Sequence, residues 1–269
     1  DLPQIPVTLG ETTHVTLSPI QLVNLPVISG RIEMPDQKPL EGRVLISAQD
    51  LKDPLLVLSD TEGRFHFQFD YQPEQNTVTF RAEHALRFLR RDFKVNLDQQ
   101  GEVILTLEPF EPDLSERPPV AGRNDLRKLL KKEAPKIACA QWYNTQPVTL
   151  EGLKGKVVVL TLWGGFDNSP FGINRLGELR ALADLFQGVD DVFFLGIHDA
   201  TSDPDEVARY VRQLDIRFPV GRDADPFVSF TNYEVSFIPQ TLLIDKEGKV
   251  CYDQTEGRLL EMIKALRRK

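Results

Sequence analysis

The run "KGKVVVLTLWGGFDNSPFGINRLGELRALADLF", residues 154–186, decides the fold. Val157 to Leu162 is apolar except for Thr161 and of strand length, the pattern of a strand buried on both faces. Trp163 ends it, and Gly164 and Gly165 break it. Asp167 and Asn168 suit a turn, Ser169 is a good helix cap, and Pro170 is a good first helical residue. Leu176, Leu179, Leu182 and Leu185 then recur at helical spacing. A buried strand that feeds a short loop and then an amphipathic helix is the opening of a β–α unit, which calls for parallel strands.

The pattern continues downstream. "DVFFLGIH" (191–198) is a second buried strand. "SDPDEVARYVRQL" (202–214) opens a helix at Ser202, Asp203 and Pro204, with Val207, Tyr210, Val211 and Leu214 on one face. "QTLLID", "KEG" and "KVCYD" (240–253) read as strand, turn, strand. "RLLEMIKALRRK" (258–269) is a closing amphipathic helix with cations at its C-terminus, where the helix dipole favours them. The order from residue 134 onward is β-α-β-α-β-β-α.

Upstream the chain changes character. Before residue 110 it shows short alternating strands between Pro, Gly, Asp and Gln clusters, which predicts an antiparallel sandwich. In "SDTEGRFHFQF" (59–69), Asp60 and Gly63 make a turn, and Phe65, Phe67 and Phe69 then fall on one face. "EPFEPDLSERPPVAGRND" (108–125) is rich in Pro and charge and reads as an extended linker. "NDLRKLLKKE" (124–133) reads as a short helix capped by Asn124 or Asp125, its basic run a solvated face. The expected organisation is a tail or linker over 1–22, a β domain over 23–110, a linker over 111–133 and an α/β domain over 134–269. "VTLGETTHVTLSPI" (7–20) is similar to "VNLDQQGEVILTLEPF" (95–110). Either it closes an earlier copy of the β unit, or two Val/Thr/Leu-rich hairpins look alike by chance.

Composition narrows the function. The 269 residues are 41% hydrophobic and 27% charged, with a net charge of −8. That balance argues against nucleic acid or anionic membrane as the main partner. No stretch approaches the roughly 18 apolar residues of a membrane span, so no membrane insertion of this chain is expected. No signal peptide is present within it, and its start at Asp1 fits a processed or excised piece. The two cysteines, Cys139 and Cys251, are too few for a disulfide framework and sit in apolar, strand-like runs, as small buried hydrophobes do. No Cys/His spacing suits a metal. "WGGF" (163–166) lacks the lysine and spacing of a phosphate loop, and no cofactor is expected.

Two resemblances sharpen this reading. "VISGRIEMPDQKPLEGRVLIS" (27–47) with "SDTEGRFHFQF" resembles the carboxypeptidase regulatory-like domain, a small immunoglobulin-like sandwich. Gly30, Pro39 and Gly42 fill its first motif, and Ser59, Asp60, Gly63 and Phe65 its second. That family implies an adhesion or spacer module outside the cytoplasm, with no catalytic residues to carry over. "EAPKIACA" (133–140), "TLEGLKGKVVVLTLW" (149–163) and "FPVGRDADPFVSFTNYEVSFIPQTLLIDKEGKVCY" (218–252) resemble the redoxin, AhpC/TSA and TlpA-like branch of the thioredoxin superfamily. The fold class implied is an all-β immunoglobulin-like sandwich followed by an α/β thioredoxin-like fold. The second resemblance also implies that Ile238–Pro239 is the family's cis-proline, facing the active-site loop.

The thioredoxin-like resemblance calls for Cys-x-x-Cys at the helix start, and this chain has no cysteine there. Counting forward from Trp163 puts the missing pair at Asp167 and Pro170. Counting back from the helix puts it at Ser169 and Gly172, with "SPFG" over the family's "CPPC" and a two-residue loop insertion. Thr161 stands where thioredoxins proper carry a buried acid. Thiol–disulfide exchange needs a thiolate and a resolving thiol, so no catalytic residue is expected. A peroxidase would need its cysteine in this same loop. His198 ends its strand on the edge that carries the loop, and reads either as a neighbour of the site or as a loop histidine. Trp163, Phe166, Phe171, Ile238 and Pro239 would line a groove for an extended protein or peptide partner. The function expected is a redox-inactive, partner-binding module in an extracytoplasmic multidomain protein. The alternatives are a thiol-disulfide oxidoreductase or peroxiredoxin-like enzyme by an unrecognised route, and a purely architectural tail.

Overall fold

The computed structural model describes residues 26–48, 55–69, 76–98, 101–112, 126–253 and 259–268. The expectations for residues 1–22, for the 7–20 likeness and for the cap at Asn124 or Asp125 lie outside them, as do the side chains of Phe67 and Phe171.

The first half is built of β1 (Val27–Glu33), β2 (Gly42–Ala48), β3 (Leu55–Ser59), β4 (Arg64–Gln68), β5 (Thr77–His84), β6 (Leu89–Asn96), β7 (Val103–Thr106) and the two-residue β8 (Glu108–Pro109). They form two sheets, β4-β1-β7 and β3-β2-β5-β6-β8. Alternation drives the packing: Ile28, Ile32, Phe65 and Leu105 of the smaller sheet meet Val44, Ile46, Val57, Val78, Phe80 and Val95 of the larger in one core. The turn read at Asp60 forms as expected. Its Oδ1 accepts the Glu62 and Arg64 N–H groups at 2.9 and 2.8 Å, and Gly63 takes φ +73°. The sandwich is not purely antiparallel, since β1 and β7 run parallel from Gly30↔Val103 to Glu33↔Thr106. β6 and β7 lie in different sheets, so no hairpin joins β7 to its neighbour β1 and nothing forces their directions to be opposite.

The second half holds β9 (Cys139–Tyr143), β10 (Val157–Trp163), α1 (Pro170–Leu185), β11 (Val192–His198), α2 (Pro204–Gln213), β12 (Val220–Asp223), α3 (Val228–Asn232), β13 (Gln240–Ile244), β14 (Val250–Asp253) and α4 (Leu259–Arg267). Its single sheet has the order β14-β13-β10-β11-β12-β9. β10, buried along its whole length, lies inside it, parallel to β11 and antiparallel to β13. Val157, Val159 and Trp163 face a core shared with α1, α2 and α4, while Val158, Leu160 and Leu162 face one shared with Tyr233 and Val250. The expected element order omits β9, β12 and α3. The expected linker also ends early. A 3-10 turn spans Leu126–Leu129, the Lys131 N–H donates to Val250 O at 2.7 Å, and Ala134 N–H donates to Gly248 O at 2.9 Å. The α/β unit therefore takes up its chain from about residue 126, not 134.

The two halves are joined by more than a linker. Arg43 of β2 donates to the Asp184 and Leu185 carbonyls, at 3.0 and 2.9 Å, at the C-terminal end of α1. Lys264 of α4 is 2% exposed. Its ammonium contacts the Glu83 carboxylate and donates to His84 O and Arg87 O at 3.3 and 3.2 Å. It lies 5.1 and 5.4 Å from the Phe88 and Phe110 rings, which pack edge to face. Arg90 pairs with the Glu261 carboxylate of α4 at 2.5 Å. The closing helix reads as amphipathic with cations at its C-terminus, and its charged Glu261 and Lys264 are nonetheless buried, paired with Arg90 and Glu83 of the sandwich.

Candidate functional site

The site sits where β10 gives way to α1. The helix begins at Pro170 with Ser169 as cap, its Oγ accepting the Gly172 N–H at 3.0 Å. Asp167 lies in the preceding loop, and its Oδ1 accepts the Ser169 N–H at 3.0 Å. A Cβ on Gly172 would come within 2.1 Å of Asp167 Oδ2, so the carboxylate occupies the space that a side chain at 172 would need. The groups that start a thioredoxin-type helix are thus present, with a hydroxyl at 169 and no side chain at 172.

Ile238–Pro239 is a cis peptide bond. It faces this loop: a Cβ on Gly164 would lie 2.8 Å from Ile238 Cδ1 and 2.6 Å from Phe166 Cζ. The sequence-derived groove residues separate by exposure. Phe166 is 47% exposed, Ile238 is half-buried and Pro239 is buried. Trp163 is fully buried in the core with Leu176, Leu179 and Val207, so it cannot touch a partner. Sequence reasoning missed Ile173, 51% exposed in the first turn of α1. Its signal was legible, because the buried positions 172, 175, 176, 179 and 182 leave an apolar residue at 173 on the wrong side of the helix.

His198 belongs to the site's support. It ends β11 in register with Trp163 and is fully buried. Its ring stacks on Tyr210 at 5.8 Å and meets Trp163 edge-on at 4.7 Å and Phe166 at 6.2 Å. Nε2 accepts the Gly165 N–H at 2.7 Å, so the ring proton is on Nδ1, which donates to Asp199 O at 3.0 Å. Burial holds this imidazole below its ordinary pKa, against a smaller opposing pull from Asp199. With both nitrogens engaged and no solvent contact, the ring is built to hold a loop. Thr161 is buried too, its hydroxyl 3.2 Å from that of Thr241, so the place of a buried acid is taken by a hydroxyl pair.

The thiols lie elsewhere. Cys139 is on β9 and Cys251 on β14, the two edges of the sheet. Five strand spacings of about 4.8 Å separate those edges, roughly 24 Å. Burial, reinforced by the Asp223 charge, pushes the Cys139 thiol up to about 12, and Cys251 Sγ donates to Leu243 O at 3.3 Å. Among the described residues no three His, Cys, Asp or Glu side chains come together as metal ligands, and no helix is long and apolar enough to cross a membrane.

Comparison with known proteins finds likeness in the second half of the chain. Residues 130–253 match the model of the AhpC/TSA family. The thiol-disulfide oxidoreductase ResA of Bacillus cereus (strain ZK / E33L) is 31% identical over 123 residues, covering 44% of this chain and 65% of the relative. The protein of the same name from Bacillus thuringiensis subsp. konkukian (strain 97-27) is 29% identical over 143 residues, covering 50% of this chain and 77% of the relative. The chain thus spans slightly less than two thirds of the first relative. Among solved structures, a thioredoxin-like superfamily protein is 27% identical with a TM-score of 0.44, covering 51% of this chain and 97% of that one. A thiol-disulfide isomerase from Corynebacterium glutamicum is 19% identical with a TM-score of 0.43, covering 51% and 97%. The C-terminal half of this chain carries an AhpC/TSA-type thioredoxin-like domain.

Proposed function

We propose that this domain no longer exchanges disulfides and instead binds an extended segment of a partner protein along the loop of Phe166, the first turn of α1 and the Ile238–Pro239 edge. One observation carries the reading: the helix start is fully formed around Ser169 and Gly172, positions without sulfur, while both cysteines lie on the sheet's outer strands. Exchange needs a thiolate at the helix N-terminus and a second thiol to resolve the mixed disulfide. A serine without an adjacent base is no substitute. What the loop offers is apolar contact from Phe166 and Ile173 beside a backbone turn, which suits strand-like peptide capture.

The β half serves in this reading as a carboxypeptidase regulatory-like, immunoglobulin-like support, and the whole module works outside the cytoplasm, as that resemblance implies. The second reading is a thiol-disulfide oxidoreductase, favoured by the likeness to the ResA thiol-disulfide oxidoreductases. It would have to run through Cys139 or Cys251. A purely architectural tail is the third. A peptide array probed with the full chain separates the first from the third. Binding of extended apolar peptides that falls at least tenfold with Phe166→Ala or Ile173→Ser supports capture, and an array without loop-dependent signal overturns it.

A further inference from the structure

We infer that His198 is a positioning residue that makes the loop over residues 164–168 responsive to acid: neutral, it holds the loop through Gly165, and protonated it lets the loop go. The inference adds regulation to the contact surface proposed above and rests on that reading for its biological use, though the loop's response itself does not.

The geometry gives the mechanism. The Gly165 N–H has the imidazole Nε2 as its acceptor at 2.7 Å, and a nitrogen that gains a proton cannot accept. Protonation therefore turns an attractive contact into two donors facing each other. The ring cannot escape by turning, because Tyr210 stacks on it and the Trp163 and Phe166 rings meet it edge-on. Tyr210 also lies against the loop backbone, since a Cβ on Gly165 would come within 2.2 Å of its ring. Phe166, the exposed aromatic of the contact surface, follows Gly165 directly, so the freed peptide is the one that aims its ring.

Charges from each packed element set where this happens. Asp199, next in the chain, puts a carboxylate oxygen 3.7 Å from Nδ1 and favours the cation. Glu206 of α2 acts the same way from further off, and Arg222 of β12 opposes it. Trp163 of β10 and Tyr210 of α2 contribute rings without charge at neutral pH. Burial outweighs these and keeps the ring neutral under ordinary conditions. The loop is therefore held at neutral pH and released only below the ordinary histidine range.

The test is an NMR titration of the full chain from pH 7.5 downward, following the His198 ring and the Gly165 amide. The expected result is a His198 midpoint below 6.5, the ordinary value. The Gly165 amide shift should follow the same curve, with at least a tenfold gain in exchange once intrinsic pH dependence is removed. His198→Gln places an amide oxygen where Nε2 accepts, so it keeps Gly165 protected and abolishes the step. His198→Phe fills the space without an acceptor and leaves Gly165 unprotected at every pH. Should the Phe variant fail to fold, the Gln variant decides alone. A Gly165 amide indifferent to the His198 titration, or a Gln variant that keeps the step, overturns the inference. Peptide affinity measured in the same samples separates the two claims. Titration without peptide binding leaves the loop response standing and sinks the contact reading, whereas binding without titration does the reverse.

Discussion

Two regions of the thioredoxin-like domain make opposite use of similar materials. Toward the sandwich, the end of α1 and the length of α4 are sealed by charge: Arg43 on two carbonyls, Lys264 on Glu83, Arg90 on Glu261. At the other end of α1, apolar side chains are left in water: Phe166 and Ile173. A buried charge must be paired or it is costly, so the first region tolerates no partial assembly. An exposed apolar side chain costs the fold little, so the second is free to serve contact. The comparison teaches that the sandwich is held to the α/β sheet by paired charges, and that the loop edge is where large apolar side chains stay exposed.

The difference can be broken at its strongest point. Lys264→Ala removes one member of a buried pair and leaves Glu83 without it, which should cost about 3–5 kcal/mol, read by chemical denaturation. Lys264→Met with Glu83→Leu should recover much of that loss, because the pair is then replaced and not broken. A single mutant as stable as the parent would mean that the seal is open in solution. Arg43→Ala should cost about 1.5–3 kcal/mol, since the charge-assisted bonds to the end of α1 go with it.

Acid probes the sealed side as well. His84 Nδ1 accepts the Leu86 and Arg87 N–H groups at 3.0 and 3.2 Å, and its backbone carbonyl takes Lys264. Burial, aided by the Arg87 charge, pushes its pKa down to about 4 from 6.5. The folded value lies below the unfolded one, so the unfolded chain binds more protons in that window. Stability should hold above about pH 6.5 and fall as pH drops toward about 4. His84→Gln should flatten that fall in a series of melting temperatures.

The loop edge should respond more mildly to stability probes and more sharply to binding ones. Gly172→Ala must push the half-buried Asp167 carboxylate off the Ser169 N–H, a loss that the helix preference of Ala over Gly offsets, so the net change should stay within about 1 kcal/mol. Phe166→Ala should cost about 1 kcal/mol, for the half of its ring that packs on His198, and Ile173→Ser should stay within about 0.5 kcal/mol of the parent. Their larger effect belongs in partner affinity, measured by calorimetry beside a melting curve. A large stability loss from either would place them in the core and remove the contrast between the regions.

Much of this was legible in the sequence where the cause is local. The Asp60–Gly63 turn, the buried run of β10, and the Ser169–Pro170 helix start each depend on neighbours within a few residues. The seal depends on partners far apart in the chain, Lys264 with Glu83 and Arg43 with Leu185, and helical spacing says only that α4 has a charged side, not what covers it. His198 was readable as the end of a buried strand. Its grip on Gly165 was not, because it needs α2 to bring Tyr210 over the loop and β10 to set Trp163 beside the ring.

The central claim is that the helix start of a thioredoxin-like domain is kept here for contact without sulfur chemistry. Insulin reduction by the full chain, with dithiothreitol as electron donor, tests it most directly. The expected rate equals that of the blank without protein, before and after Cys139→Ser and Cys251→Ser. Turnover above the blank that disappears with either serine variant would contradict the account.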